Sequence, residues 1–145
     1  MKPIANSQLT GKWYNVARTR NFFEMNLVEI FLYISIAYEN YLDLLYVGVK
    51  GDRSKVLKKL TLKILTKNDV NFIIIKKGLF KKTFRILTFD GKNGIFILSD
   101  KKMKYLSILS RKPIMQHEVM ESCLNQVEEL NGKRIELYGV LNTLV

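Results

Sequence analysis

Side chains suited to metal binding and nucleophilic catalysis are scarce in this chain of 145 residues. It has one cysteine, Cys123, and one histidine, His117. A disulfide needs two cysteines and zinc sites are built from several Cys and His ligands, so we expect no internal disulfide, no metal and no cofactor. We find no glycine-rich phosphate loop, no nucleophile elbow and no pair of carboxylates with supporting context. The sequence therefore predicts no catalytic residues and a protein that is not an enzyme.

The histidine and the cysteine both fall in a predicted helix near the C-terminus. His117 lies near its start and has no second histidine to share a metal, so we expect a solvated side chain. Cys123 lies on the apolar face of the same helix, and a buried, inert thiol is expected there.

The charge is large and unevenly placed. The chain has 24 Lys and Arg against 13 Asp and Glu, a net charge of +11, and residues 50–112 alone hold 18 basic and 4 acidic residues. Such an excess suggests an anionic partner: nucleic acid, a membrane surface or an anionic ligand.

The basic block alternates with apolar residues instead of forming a low-complexity run. In KVLKKLTLKILTK, four lysines (Lys55, Lys59, Lys63 and Lys67) share one parity, and Val56, Leu60, Leu62 and Ile64 share the other. Alternation with period two is typical of a half-buried strand with one solvated face. Most of these lysines are therefore expected on the outer surface.

Turn signals divide the chain into strand-length pieces. Gly51-Asp52-Arg53-Ser54 and Asp90-Gly91-Lys92-Asn93-Gly94 are two of them, and eight strands with short connections occupy residues 11–111. An up-and-down sheet of eight strands closes most naturally into a barrel, which removes its exposed edges. The predicted fold class is all-β, an eight-stranded up-and-down antiparallel barrel.

The pattern changes after Pro113. Apolar residues then recur at steps of three and four, which predicts an amphipathic helix over about 114–131, ending at Asn131-Gly132. A short strand is predicted over about 134–140. The whole of 1–145 is predicted to be a single domain, because single domains cluster near this length.

Two segments resemble the motifs of one family. Gly11-Lys12-Trp13-Tyr14-Asn15-Val16-Ala17-Arg18 is similar to the G-x-W-Y-x-x-A-R motif on the first strand of lipocalins, in particular the bacterial and apolipoprotein D-like members. Ile108-Leu109-Ser110-Arg111-Lys112-Pro113 resembles the end of their last barrel strand. The resemblance implies a barrel whose closed end is plugged by Trp13, with Arg111 across its ring in a cation–π contact. Gly11 would let the preceding segment cross the barrel floor closely.

Strand parity and this resemblance together suggest which side chains face the barrel interior. On the last strand these are Tyr105, Ser107 and Leu109. The other candidates lie on the fifth and sixth strands. The predicted ligand-binding residues are Phe72, Ile74, Phe84, Ile86, Thr88, Tyr105 and Ser107.

Alternate connections of an up-and-down barrel lie at one end, and basic residues crowd the connections expected at the open end. The predicted head-group residues at this rim are Lys76, Lys77, Lys81, Lys82, Lys101, Lys102 and Lys104. Apolar residues, among them Leu79 and Phe80, lie in the same connections. A basic rim with apolar tips suits an anionic amphiphile or an anionic membrane surface.

The leading hypothesis is a non-enzymatic carrier or scavenger of a small hydrophobic ligand, an anionic lipid such as a fatty acid or a lysophospholipid. One alternative is a basic barrel that binds nucleic acid, although most aromatic residues fall on the inner parity. Another is a lipid-modifying enzyme on the same scaffold. The first residues lack the apolar core of a signal peptide, so the compartment stays open between the cytoplasm and, if a leader was removed, the cell envelope as an outer-membrane lipoprotein.

Overall fold

The computed structural model describes residues 3–19, 21, 24–38, 41–132 and 137–139. Two helices and nine strands occur in these ranges. The helices are α1 (Asn6–Leu9) and α2 (His117–Asn131). The strands are β1 (Gly11–Arg18), β2 (Leu27–Tyr38), β3 (Tyr41–Lys50), β4 (Lys55–Lys67), β5 (Val70–Lys77), β6 (Phe80–Asp90), β7 (Ile95–Ser99), β8 (Leu106–Ser110) and β9 (Tyr138–Gly139).

The first eight strands form a closed barrel. Each pairs antiparallel with its successor from β1 to β8, and β1 also pairs with β8, which closes the sheet. The predicted fold class, an eight-stranded up-and-down barrel followed by one helix, is confirmed. Closure leaves no free edge among these eight strands, which limits edge-to-edge association.

The long strand β4 shows why the sequence folds this way. Leu60, Leu62 and Ile64 point into the barrel and belong to its core. Lys55, Lys59 and other lysines of the opposite parity lie on the outer face, as the alternation predicts.

A second core lies outside the barrel, beneath α2. Met120, Cys123 and Val127 of the helix pack there against outward-facing residues of β1, β7 and β8. The helix begins a few residues later than predicted and ends at Gly132, which has a left-handed backbone (φ +77°) and whose N–H donates to the Glu128 carbonyl at 2.8 Å.

The two residues considered first for chemistry both lie on α2, away from the barrel interior. His117 is exposed at the first helical position, and Cys123 is buried. Burial, with a smaller contribution from the charge of Asp90, raises the pKa of the Cys123 thiol to about 11. The thiolate is the reactive form, so Cys123 is an inert core residue.

The chain ends are described only in part. α1, which was not predicted, buries Leu9 completely. Of the strand predicted over about 134–140, Tyr138 and Gly139 form β9 beside β1, and 134–136 and 140 lie outside the described residues. The single-domain assignment of 1–145 stays a prediction. No helix within the described ranges is long and apolar enough to cross a lipid bilayer.

Candidate functional site

The barrel encloses a cavity of about 860 Å³. It lies toward the end formed by the β1–β2, β3–β4, β5–β6 and β7–β8 connections, which we call the mouth. The volume is within the usual range for small-molecule sites. Its apolar lining comes from seven strands, β2 to β8, and includes Ile30, Leu32, Leu44, Leu60, Ile75, Phe84, Leu98 and Leu109. The interior is therefore an apolar cavity large enough to hold a small ligand.

The opposite end, the floor, is closed around Trp13. Its side chain is 1% exposed and meets Phe96 edge to face, with ring centroids 4.6 Å apart. Phe89 is a second aromatic neighbour at 6.4 Å. The indole N–H donates to the Leu9 carbonyl at 2.8 Å, so α1 is fastened under the barrel.

Arg111 covers the floor from outside, as the resemblance to lipocalins implies. The guanidinium carbon lies 3.8 Å from the centre of the Trp13 ring. Its N–H groups donate to the carbonyls of Gln8 and Lys12. Gly11 (φ +105°) gives it space, because a Cβ there would lie 2.8 Å from the guanidinium. The closed end is thus a packed structural unit and not part of the cavity.

Three of the predicted ligand-binding residues line the cavity together. Tyr105 immediately precedes β8, Ser107 lies on β8, and Phe84 lies on β6. The rings of Phe84 and Tyr105 are 5.7 Å apart. Phe84 and Tyr105 form the wall nearest the mouth on this side of the barrel, and Ser107 lies deeper.

The predicted parity of β5 is wrong. Ile73 and Ile75 point into the barrel core, so Phe72 and Ile74 lie on the outer face of the sheet. Asn71 shares the inner face and is fully buried, because its side-chain oxygen accepts hydrogen bonds from the Ile4 N–H and the Thr66 hydroxyl. The inner face of β5 therefore carries a polar residue that contacts the N-terminal segment, together with Ile73 and Ile75.

On β6 the prediction fails in part, and a β-bulge explains it. Ile86 is 2% exposed and packs in the barrel core, below the cavity lining. The register with β7 shifts between Ile86 and Thr88, so Thr88 pairs with Ile97, whose side chain belongs to the core under α2. A bulge reverses the faces beyond it, which removes Thr88 from the interior.

The mouth contains a buried carboxylate that the sequence analysis missed. Glu24, in the β1–β2 connection, is 7% exposed. It accepts hydrogen bonds from the hydroxyls of Tyr46 (2.6 Å) and Tyr105 (3.3 Å) and from the Asn21 side chain (2.8 Å). The guanidinium of Arg18 lies 3.7 Å away and donates to the carbonyls of Glu24 and Leu27.

This cluster ties the β1–β2 connection to opposite walls of the barrel, since Tyr46 is on β3 and Tyr105 precedes β8. Burial, and then the negative charge of Glu24, raise the pKa of both tyrosines above their ordinary value. Both phenols therefore stay protonated at neutral pH and keep donating to the carboxylate.

Four lysines line the cavity near the mouth: Lys50, Lys58, Lys82 and Lys104. The Lys82 amine lies 5.2 Å from the Phe84 ring centre and 5.8 Å from that of Tyr105. On β4, the Lys58 amine lies 5.5 Å from the Tyr46 ring centre. Arg18 offsets the charge of Glu24, so these lysines give the upper cavity a net positive charge.

The predicted rim is thus only partly at the cavity. Lys82 and Lys104 line it. Lys76 and Lys81, which pair with each other, lie on the outer face. Lys77, Lys101 and Lys102 are exposed at the mouth end without lining the cavity.

A sequence signal existed for three of the residues that were missed. Lys58 shares the parity of Val56 and Leu60, so it is a lysine within an apolar face. Tyr46 likewise shares the inner parity of Leu42 and Leu44. Glu24 lies in an irregular connection, but it is the acidic residue in a segment rich in apolar residues. In each case the signal in the sequence was a polar or charged residue among apolar ones.

Comparison with known proteins supports the fold. No family model matches the chain, and no curated protein matches it. Among solved structures, the cockroach major allergen Per a 4 matches with a TM-score of 0.75 and 14% identity, covering 97% of this chain and 89% of that one. Lobster apocrustacyanin A1 matches with a TM-score of 0.67 and 16% identity, covering 94% and 78%.

The siderocalin Ex-FABP, whose structure is described as having dual ligand specificities, also matches with a TM-score of 0.67 and 16% identity, covering 95% of this chain and 99% of that one. The solved neighbours are lipocalins. At these identities the likeness establishes the lipocalin fold alone.

Proposed function

We propose that this protein binds and carries a small amphiphile with an anionic head group, such as a fatty acid or a lysophospholipid. The observation that carries the proposal is the arrangement of the cavity, which is apolar in its depth and has Lys58 on β4 and Lys82 on β6 near the mouth. Each buried methylene of a tail contributes about 0.8 kcal/mol before ordering costs. The lysines contribute capture rate and head-group preference.

The polar groups of the cavity favour binding over catalysis. Glu24 accepts hydrogen bonds from two tyrosines and an asparagine and faces Arg18, so its oxygens are occupied as acceptors. The Ser107 hydroxyl accepts a hydrogen bond from Asn15. These groups support the shape of the site and are not arranged as a nucleophile with its base.

Replacing both Lys58 and Lys82 with glutamine should weaken binding of hexadecanoic acid roughly tenfold, since each partly solvated charge contributes up to about 1 kcal/mol. Binding of hexadecanol should change little, because its head group is neutral. Displacement of a fluorescent fatty acid measures both affinities.

The matched control replaces Lys59 and Lys81 with glutamine. These lysines follow Lys58 and precede Lys82 on the same strands but point outward, so the net charge changes equally. An equal loss of hexadecanoic acid binding in both double variants would contradict a head-group role for the inward lysines.

The β5–β6 hairpin supports a second part of the proposal, in which the mouth docks on an anionic bilayer. Leu79 at its tip is fully exposed and Phe80 is 59% exposed. Two pairs of lysines flank them, Lys76 and Lys77 on β5 and Lys81 and Lys82 on β6. Apolar tips with surrounding lysines match an anionic lipid surface, where each cation contributes about 1 kcal/mol. Docking there would present the cavity to the lipids.

Leu79→Glu should reduce binding to vesicles of phosphatidylglycerol and phosphatidylcholine about tenfold, because it removes an apolar tip and adds a repulsive charge. Co-sedimentation at low salt measures it. The control is Leu65→Glu, which changes another exposed leucine at the floor end of β4. If the wild type sediments equally with vesicles of phosphatidylcholine alone, this second part is wrong.

A further inference from the structure

A polar pair interrupts the apolar cavity between its mouth and its floor. Asn15 on β1 is 2% exposed and lines the cavity. Its side-chain N–H donates to the Ser107 hydroxyl oxygen. Its carbonyl oxygen, Oδ1, has no hydrogen-bond partner within the part of the chain that the structure describes. A buried acceptor left unpaired is unfavourable, so this oxygen points to a ligand that donates to it.

The Asn15 amide is oriented by Ser107. Its nitrogen donates to the Ser107 hydroxyl oxygen, so the carbonyl oxygen is the amide atom directed away from Ser107. Tyr105, two residues before Ser107, donates to Glu24. The polar atom left open beside this pair is therefore an acceptor.

The pair lies deeper than the proposed head-group level. Ser107 and Tyr105 are two residues apart, and so are Asn15 and the floor residue Trp13. Two residues of an antiparallel strand span roughly 7 Å. Asn15 also pairs with Leu109, whose side chain lines the cavity, so Asn15 lies beside the part of the cavity that an apolar tail would occupy.

We propose that the ligand class is an anionic amphiphile with a hydroxyl on its chain, and that Asn15 selects it by accepting a hydrogen bond from that hydroxyl. This inference rests on the proposed function for the orientation of the ligand, with its head group at the mouth. A plain acyl chain leaves Oδ1 buried and unpaired, whereas a hydroxyl at the right depth satisfies it.

The test compares hexadecanoic acid with a series of monohydroxyhexadecanoic acids in which the hydroxyl moves along the chain. In the wild type, a hydroxyl at the depth of Asn15 should improve affinity roughly three- to tenfold over the plain acid, the contribution of one net hydrogen bond. Hydroxyls nearer the methyl end should weaken binding, because they are buried without a partner.

In the Asn15→Leu variant, the hydroxy acid that the wild type prefers should no longer bind more tightly than hexadecanoic acid. Hexadecanoic acid itself should bind the variant as tightly as it binds the wild type, or more tightly. The control is Ile74→Leu, a volume-conserving change on the outer face of β5, which should keep the wild-type preference. Should Asn15→Leu fold poorly with Ser107 unpaired, the double variant Asn15→Leu/Ser107→Ala removes both polar partners and carries the same expectation.

Two results would overturn the inference: a hydroxyl that weakens wild-type binding at every position, or a preference that survives in Asn15→Leu. Failure of the proposed function has a different signature, namely hexadecanol binding as tightly as hexadecanoic acid. In that case, alcohols with a second hydroxyl at different positions along the chain can be compared with hexadecanol in the same way. The role of Asn15 can then be tested independently of the head group.

Discussion

Trp13→Ala is expected to lower the free energy of unfolding by about 3–5 kcal/mol, among the largest losses that one substitution in this chain can cause. The side chain is 1% exposed and packs against Phe96 and Phe89, and Arg111 lies over its outer face. The substitution leaves a void in the floor and removes the hydrogen bond to the Leu9 carbonyl. Urea denaturation monitored by circular dichroism measures the loss.

The matched control for this prediction is Tyr38→Ala. Tyr38 is also aromatic and lies at the floor end of β2, but it is 73% exposed, so its truncation should stay within about 0.5 kcal/mol. Trp13→Phe should fall between the two, since it keeps a ring against Phe96. Similar stabilities for Trp13→Ala and Tyr38→Ala would show that the floor does not depend on the indole.

Glu24→Ala is expected to cost about 3–5 kcal/mol as well, because it leaves the buried guanidinium of Arg18 without its counter-charge. The change also removes the acceptor for Tyr46 and Tyr105 and so releases the β1–β2 connection from β3 and β8. We expect reduced affinity for hexadecanoic acid in the same variant, because the tyrosines that shape the upper cavity lose their anchor. Chemical denaturation and ligand displacement measure the two effects.

Glu24→Gln separates charge from hydrogen bonding. It retains one acceptor oxygen, whereas the carboxylate offers one to Tyr46 and the other to Tyr105, so it should still lose less stability than Glu24→Ala. It should also lower the pKa of Tyr46 and Tyr105 toward the ordinary range, because the carboxylate raises both. Absorbance titration of the phenols reads this shift. Asp43→Ala, on the exposed face of β3, is the neutral control for stability. A Glu24→Ala protein as stable as that control would refute a buried ion pair at the mouth.

Where one face of a strand was apolar and the other charged, the sequence was sufficient to place side chains. The alternation of β4 assigned Leu60 and Leu62 to the interior correctly. The parity of the last strand, set by the resemblance of Arg111 to its lipocalin counterpart, placed Ser107 and Tyr105 in the cavity. Alternation is a reliable guide when only one register buries the apolar face.

Where both faces are apolar, the same reasoning fails. On β5, Phe72 and Ile74 alternate with Ile73 and Ile75, so composition does not distinguish the two faces. On β6 a single bulge reverses the parity at Thr88, and nothing in the local sequence marks it. Glu24 acquires its role from tyrosines on distant strands, a contact that exists only after the barrel closes.

The basic charge has a narrower meaning in the structure than in the sequence. Outward lysines such as Lys59 and Lys81 are solvated on the outer face of the barrel. The lysines that line the cavity are Lys50, Lys58, Lys82 and Lys104. The net charge of +11 is therefore a poor guide to partners by itself. The position of individual lysines relative to the apolar interior supports an anionic head group.

A crystal structure of the protein with hexadecanoic acid tests the proposed ligand and its orientation together. We expect one acid molecule in the barrel, its carboxylate about 3 Å from the amine of Lys58 or Lys82 and its tail directed past Asn15 toward Trp13. A carboxylate at the floor beside Trp13, or an acid bound only outside the barrel, would contradict this expectation.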